Sequence, residues 1–237
     1  MPSMEWRFDM KVKSQIIFPH VYLLTYPTQY ELCMSLVRIQ EFYESPKFRN
    51  KYFTLEEFMD YWSLSHCGNF SYPSMWNGFN IPGDVLKKWI SKCGENRDHL
   101  REREKHFIGL VGKLMTKEKM EINFENADKI YIIGVHKNSS DLQNVISHEL
   151  AHSFYRFYPE YKRSCKKIAK NLEEQEKKVM FETLTLLGYC KNVMEDEIQA
   201  YSSTYSSESS YRAVLKNHLM SEFRANFESF KSSVKEN

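Results

Sequence analysis

Residues 148–152 read His-Glu-Leu-Ala-His, and their setting constrains the chain more than any other feature. Val145 and Ile146 precede the five residues, Leu150 and Ala151 lie inside them, Ser153 and Phe154 follow, and no charge intrudes except the motif's own. The pattern predicts a helix buried on most sides, capped by Ser140 or Asp141, running to about Tyr155 and broken at Tyr158-Pro159. Imidazoles at i and i+4 share one helical face, one turn apart. His148 and His152 can therefore both reach one Zn²⁺ at about 2.0–2.1 Å. Glu149 is rotated off that line, beside the metal, where it can take a proton from a bound water. The competing reading is an ordinary helix whose histidines meet solvent or satisfied core partners. A buried His-Glu-His cluster without a ligand would be costly.

The rest of the chain reads as mostly helical with a few strands. Val21–Tyr26 predicts a strand, stopped by Pro27. Thr28 and Thr54 each start a capping box, closed by Glu31 and Glu57, ahead of two amphipathic helices between residues 28 and 65. Residues 66–83 are aromatic with Gly, Pro, Asn and Ser between, and read as an ordered loop. Its Phe70–Phe79 part could line a substrate cleft, although such loops more often plug a core edge. A short helix is expected at Gly83–Ser91, with Pro82 in its first turn, and another helix at Asn96–Met115. Lys129–Val135 (KIYIIGV) is the clearest strand. Residues 162–187 read as one long helix with Gly188 as its cap. A helix near Val193–Thr204 carries MEDEIQAY, a Ser- and Tyr-rich loop covers 202–210, and a last amphipathic helix runs through Tyr211, Leu215, Leu219, Phe223, Phe227 and Phe230. That last helix is expected to pack on the rest of the chain rather than to self-associate. A boundary near Gly94–Arg97 would separate an N-terminal α+β lobe, residues 1–95, that shapes or regulates the cleft from the metal-bearing part, residues 96–237.

Composition excludes several classes of function. Hydrophobic residues make up 42% of the 237, enough to form a core without covalent staples. A net charge of +2 gives no electrostatic footprint for nucleic acid or for an anionic membrane. No apolar run approaches the roughly 18–20 residues that span a bilayer. The N-terminal stretch is charged throughout, unlike a secretion signal. The five cysteines are an odd number, widely spaced and without a C-x-x-C pair, as in reduced cytosolic proteins. The expectation is a soluble, cytoplasmic chain with no nucleic-acid or membrane partner.

The strand KIYIIGV, the helix DLQNVISHELAHSFY and the helix MEDEIQAY together resemble the zincin metallopeptidases, over about a third of the chain. The resemblance implies an α+β, zincin-like fold, mostly helical, with a small mixed sheet whose edge strand precedes the HExxH helix and pairs with an extended peptide or protein substrate. It implies zinc as cofactor and peptide-bond hydrolysis through a zinc-activated water, with Glu149 as general base. Tyr155 and Tyr158 stand where the metzincin pattern needs Gly and His, which leaves the gluzincin pattern, with a glutamate ligand on a later helix. Met194, Glu197 or Ile198, and Tyr201 form an inward stripe. Glu197 is thus the expected third ligand and Glu195 the alternative, while Glu195 and Asp196 tend outward. The sequence departs from the thermolysin-like pattern: Asp196 precedes the ligand and Tyr201 sits four residues after it, so no carboxylate partner for a ligand histidine is evident. Tyr201 could donate a hydrogen bond to the oxyanion, or be a core tyrosine. His136 could assist, or be an exposed loop residue. The rival function is a non-catalytic binding or regulatory protein on a zincin scaffold.

Overall fold

The computed structural model describes residues 10–97, 100–187, 189, 191–204 and 217–236. Its centre is a sheet of four strands, β1 (Lys13–Phe18), β2 (Val21–Tyr26), β3 (Gly78–Pro82) and β4 (Tyr131–His136), in the order β1-β2-β4-β3. β1 and β2 form an antiparallel hairpin that turns at His20, whose φ of 62° is left-handed. β4 runs parallel to β2, with Val21 opposite Tyr131 and Tyr26 opposite His136, and antiparallel to β3, with Gly78 opposite Val135. Every residue of β4 is buried.

Alternation along the strands sorts the core into two layers. Tyr22, Leu24, Tyr26, Phe79, Ile81 and Ile132 face one side, packed with α1 (Gln29–Glu44), α2 (Leu55–Ser65), α3 (Gly83–Glu95) and α4 (Glu102–Lys117). Val21, Leu23, Tyr131, Ile133 and Val135 face the other, against α6 (Leu142–Phe157), α7 (Pro159–Lys170), α8 (Glu174–Leu186), α9 (Met194–Thr204) and α10 (Asn217–Glu236). A four-residue helix, α5 (Phe124–Ala127), leads into β4. Three strands thus come from residues 1–95 and β4 from 96–237, so the two segments share one sheet. No helix among the described residues is long and apolar enough to cross a membrane.

The class is α+β, but the strand before the motif helix is not an edge. β4 lies between β2 and β3. An unbroken apolar run is what a strand covered on both faces requires, and KIYIIGV is such a run. The edge beside it is β3, five residues (GFNIP) inside the segment expected to be a loop. Gly, Asn and Pro all weaken strand propensity, and Pro is tolerated only where its missing N–H faces away from the ladder.

Other differences are local. The helix expected over 162–187 is two, α7 and α8, divided where Glu173 and Glu176 close a new capping box; the Glu173 N–H donates to Glu176 Oε2 at 2.8 Å. α4 starts at Glu102 rather than near Asn96. α9 continues through Thr204, so 202–204 are helical. Gly188, residues 205–210, Tyr211, Leu215 and the side chain of Leu219 lie outside the described residues. Thr54 and Glu57 form the expected capping box. At the start of α1, Glu31 instead accepts from the Thr28 hydroxyl. α10 packs on α7 and α9, with Phe227 and Phe230 against Phe154 of α6 at ring distances of 5.8 and 5.2 Å.

One buried ion pair ties the first layer together. Arg38 of α1 donates from Nε and Nη2 to the two carboxylate oxygens of Glu104 of α4, each at 2.9 Å, and its guanidinium lies over Trp89 at 4.8 Å. Both side chains are almost fully buried. Removing one partner of such a pair strands a charge in the core, so Glu104→Ala should lower stability by about 3–5 kcal/mol. Urea denaturation followed by circular dichroism measures this; a loss below about 1 kcal/mol would show that the pair is not the anchor argued for here.

Candidate metal centre

α6 carries Leu150, Ala151 and Phe154 into the second core layer, with Phe154 edge-on to Phe18 of β1. That packing fixes the helix's rotation and turns His148 and His152 toward α9. Buried Val193 precedes α9, buried Met194 begins it, and three acids stand in its first turn, where the helix dipole favours negative charge. Glu197 points inward and is 2% exposed. The three side chains converge. His148 Nε2 is 3.3 Å from His152 Nε2, Glu197 Oε2 is 3.7 Å from His148 Nε2, and Glu197 Oε1 is 3.6 Å from His152 Nε2.

This group could hold a metal ion, since one ligand atom from each residue lies within 4.8 Å of the others. Glu197 Oε2 is buried and accepts no hydrogen bond, as an atom reserved for a ligand would be. Two imidazoles and a carboxylate are also a donor set that suits a divalent transition metal. Glu195 takes no part: it is exposed and pairs with Lys166 at 3.2 Å.

Asp196 corrects the sequence reading. It does not merely face outward, because its Oδ1 accepts from His152 Nδ1 at 2.9 Å. Gln199 Nε2 donates to the same Oδ1 at 2.9 Å, and the Tyr161 hydroxyl donates to Gln199 Oε1 at 2.9 Å. The chain Tyr161–Gln199–Asp196–His152 fixes the ring and turns its Nε2 toward His148 and Glu197. Helical phase could not find this contact, because Asp196 reaches across to another helix.

Burial sets the electrostatics. It drives Glu197 well above the usual carboxylate range; the His152 charge opposes the shift, and Glu44, Asp196 and Glu149 add to it. Burial together with the His152 charge holds His148 well below the ordinary imidazole value. Burial also works against charge on His152, yet Asp196, Glu197 and Glu149 overcome it and keep that ring well above the ordinary value. A divalent cation among these groups would favour ionised Glu197 and neutral imidazoles.

The group opens into a cavity of about 250 Å³. Glu149 lies on its wall, its carboxyl raised by burial against the lowering influence of the His152 charge and then of Asn80, and its Oε2 is buried without a hydrogen-bond partner. β3 passes directly over α6. A Cβ at Gly78 would stand 2.5 Å from Val145 Cγ1 and 2.8 Å from Glu149 Oε1, so only glycine lets the edge strand come this close. Tyr201 lines the cavity with its ring 4.5 Å from that of His148 and its hydroxyl 3.1 Å from the Tyr189 hydroxyl. His136 is buried and is not a lining residue, but its Nε2 bonds the Oδ1 of Asn77, which is, at 2.9 Å. The aromatic loop serves as core and as wall at once: Tyr72 and Phe79 are buried and also line the cavity.

Sequence reasoning missed Gln40, Glu41 and Glu44, which α1 contributes to the same wall. Burial lifts Glu41 to about 7 and Glu44 to about 8. Their spacing gave no signal beyond an acidic end to an amphipathic helix.

If the three residues are ligands, His152→Ala and Glu197→Ala should each abolish tight metal binding, and Asp196→Asn should weaken it about 10–100-fold. Glu195→Ala should leave it unchanged. Competition with a chromogenic chelator reads all four variants, and an Asp196→Asn protein that binds as tightly as the parent would remove the orienting role. Comparison with protein-family models, with curated proteins and with solved structures gives no match for this chain.

Proposed function

We propose that this chain is a zinc-dependent peptidase of zincin-like fold, with His148, His152 and Glu197 as ligands and Glu149 as general base. The observation that carries the reading is the convergence of these three buried side chains at a cavity whose wall also holds an unpartnered glutamate oxygen. Bound zinc would polarise a substrate carbonyl and lower the pKa of an attacking water. Glu149 takes that water's proton at its carboxylate as the hydroxyl adds to the carbonyl carbon. It then delivers the proton to the amide nitrogen as the C–N bond breaks. A carboxyl raised by burial is a stronger base toward the water's proton than an exposed glutamate. Tyr201 can offer its hydroxyl to the developing oxyanion, with Tyr189 fixing its direction.

The substrate is a peptide or protein segment in extended form. β3 supports this, as an edge strand whose Gly78, Phe79 and Asn80 line the cavity. The role expected for the strand before the motif helix therefore passes to β3, where a peptide can add as a further strand. The free thiols of Cys33, Cys67, Cys93 and Cys165 suit a reducing compartment such as the cytoplasm.

Glu149→Gln should keep zinc at the parent's stoichiometry and lower kcat by about 10²–10⁴-fold. Elemental analysis and a fluorogenic peptide assay test both halves. A Glu149→Gln protein that retains full turnover excludes the mechanism. A chain that binds zinc but cleaves no peptide returns the rival, a binding protein on this scaffold.

A further inference from the structure

One wall of the cavity is not used by the mechanism above. α1 supplies Gln40, Glu41 and Glu44 at i, i+1 and i+4, and the aromatic segment supplies Tyr72 and Trp76. Glu41 Oε1 accepts from the Tyr72 hydroxyl at 2.8 Å. Gln40 is 7% exposed, and its Oε1 is a buried acceptor with no hydrogen-bond partner. Among the described residues, neither lysine nor arginine lines the cavity. The wall thus offers two carboxyl groups, a spare amide oxygen and aromatic faces, and the cationic ring that shares the cavity, His152, stands with Glu197 and Asp196 in the group opposite. A second metal fits it poorly: among the described residues, the group close enough to share an ion is His148, His152 and Glu197 alone. Carboxylates beside aromatic rings are instead the chemistry that holds an organic cation.

We propose that Gln40, Glu41 and Glu44 form a subsite for a positively charged nitrogen group of the substrate, an ammonium or a guanidinium, so that hydrolysis is directed beside a cationic residue. The inference rests on the peptidase reading for its consequence but not for its binding step. The cation has two possible sources, the free α-ammonium of a peptide's first residue or a lysine or arginine side chain within it. The first would make the enzyme trim ends, the second would make it cut beside internal basic residues.

Calorimetric titration of the full chain carrying Glu149→Gln separates these cases without turnover. Three probes suffice: acetyl-Ala-Lys-Ala-amide, Ala-Ala-Ala-amide, and acetyl-Ala-norleucine-Ala-amide as the uncharged control. A charge-assisted contact predicts that one cationic probe binds about 10–100-fold more tightly than the control. Adding Glu41→Gln and Glu44→Gln together should reduce that ratio to under about threefold. If the double change unfolds the chain, Glu44→Gln alone should still lower the ratio. Preference for the lysine probe assigns the side chain, and preference for Ala-Ala-Ala-amide assigns the α-ammonium. Equal binding of all three probes, or a preference that survives the glutamine substitutions, overturns the subsite. The two readings fail separately: selective binding without hydrolysis by the parent chain sinks the peptidase alone, and hydrolysis without charge preference sinks the subsite alone.

Discussion

The structure depends on one costly arrangement, the burial of Glu197 against His148 and His152. Taking a carboxylate out of water costs several kcal/mol unless a compensating charge or hydrogen bond is present. Here the partners are not in hydrogen-bonding contact with it, at 3.6 and 3.7 Å, and one oxygen accepts no bond. The rest of the second layer holds the three side chains in that arrangement. Phe154 seats α6 on β1 and α10, and Val193 and Met194 seat the first turn of α9. The cost remains in the fold as a demand for a neutralising partner, met by a proton on the raised Glu197 carboxyl or by a cation that the three side chains could hold.

That demand was legible in the sequence wherever it was local. The i, i+4 histidines and the phase of Glu197 against Met194 and Tyr201 depend only on helical geometry, and the structure places each of them on the inward face. Val21–Tyr26 and the core of KIYIIGV were legible for the same reason, since β-branched and aromatic runs announce buried strands. What could not be read was tertiary. Asp196 looks outward by phase and yet meets His152, because the partner helix lies on that side. β3 hid behind Gly78, Asn80 and Pro82, residues that argue against a strand. Gly78 is there for clearance over Glu149, a requirement imposed by a helix some seventy residues further along. The continuous apolar run of β4 should have excluded an edge position, and its assignment as one came from the resemblance rather than from the residues.

The same topology explains why the site draws on both ends of the chain. β4 enters between β2 and β3, so the helix that follows it must lie beneath β3, while α1, which follows β2, packs on the opposite face. Both layers line the cavity: α6 and α9 bring His148, Glu149, His152 and Glu197, and α1 and the aromatic segment bring acids and rings. Residues 1–95 alone would have an acidic wall facing nothing, and residues 96–237 alone would lack the strand that closes the site over Glu149. A cut between the two segments would therefore divide the cavity itself. The Arg38–Glu104 pair, which locks α1 to α4, bears on the position of Glu41 and Glu44 through the helix they share, and so couples the stability of the first layer to the shape of the cavity wall.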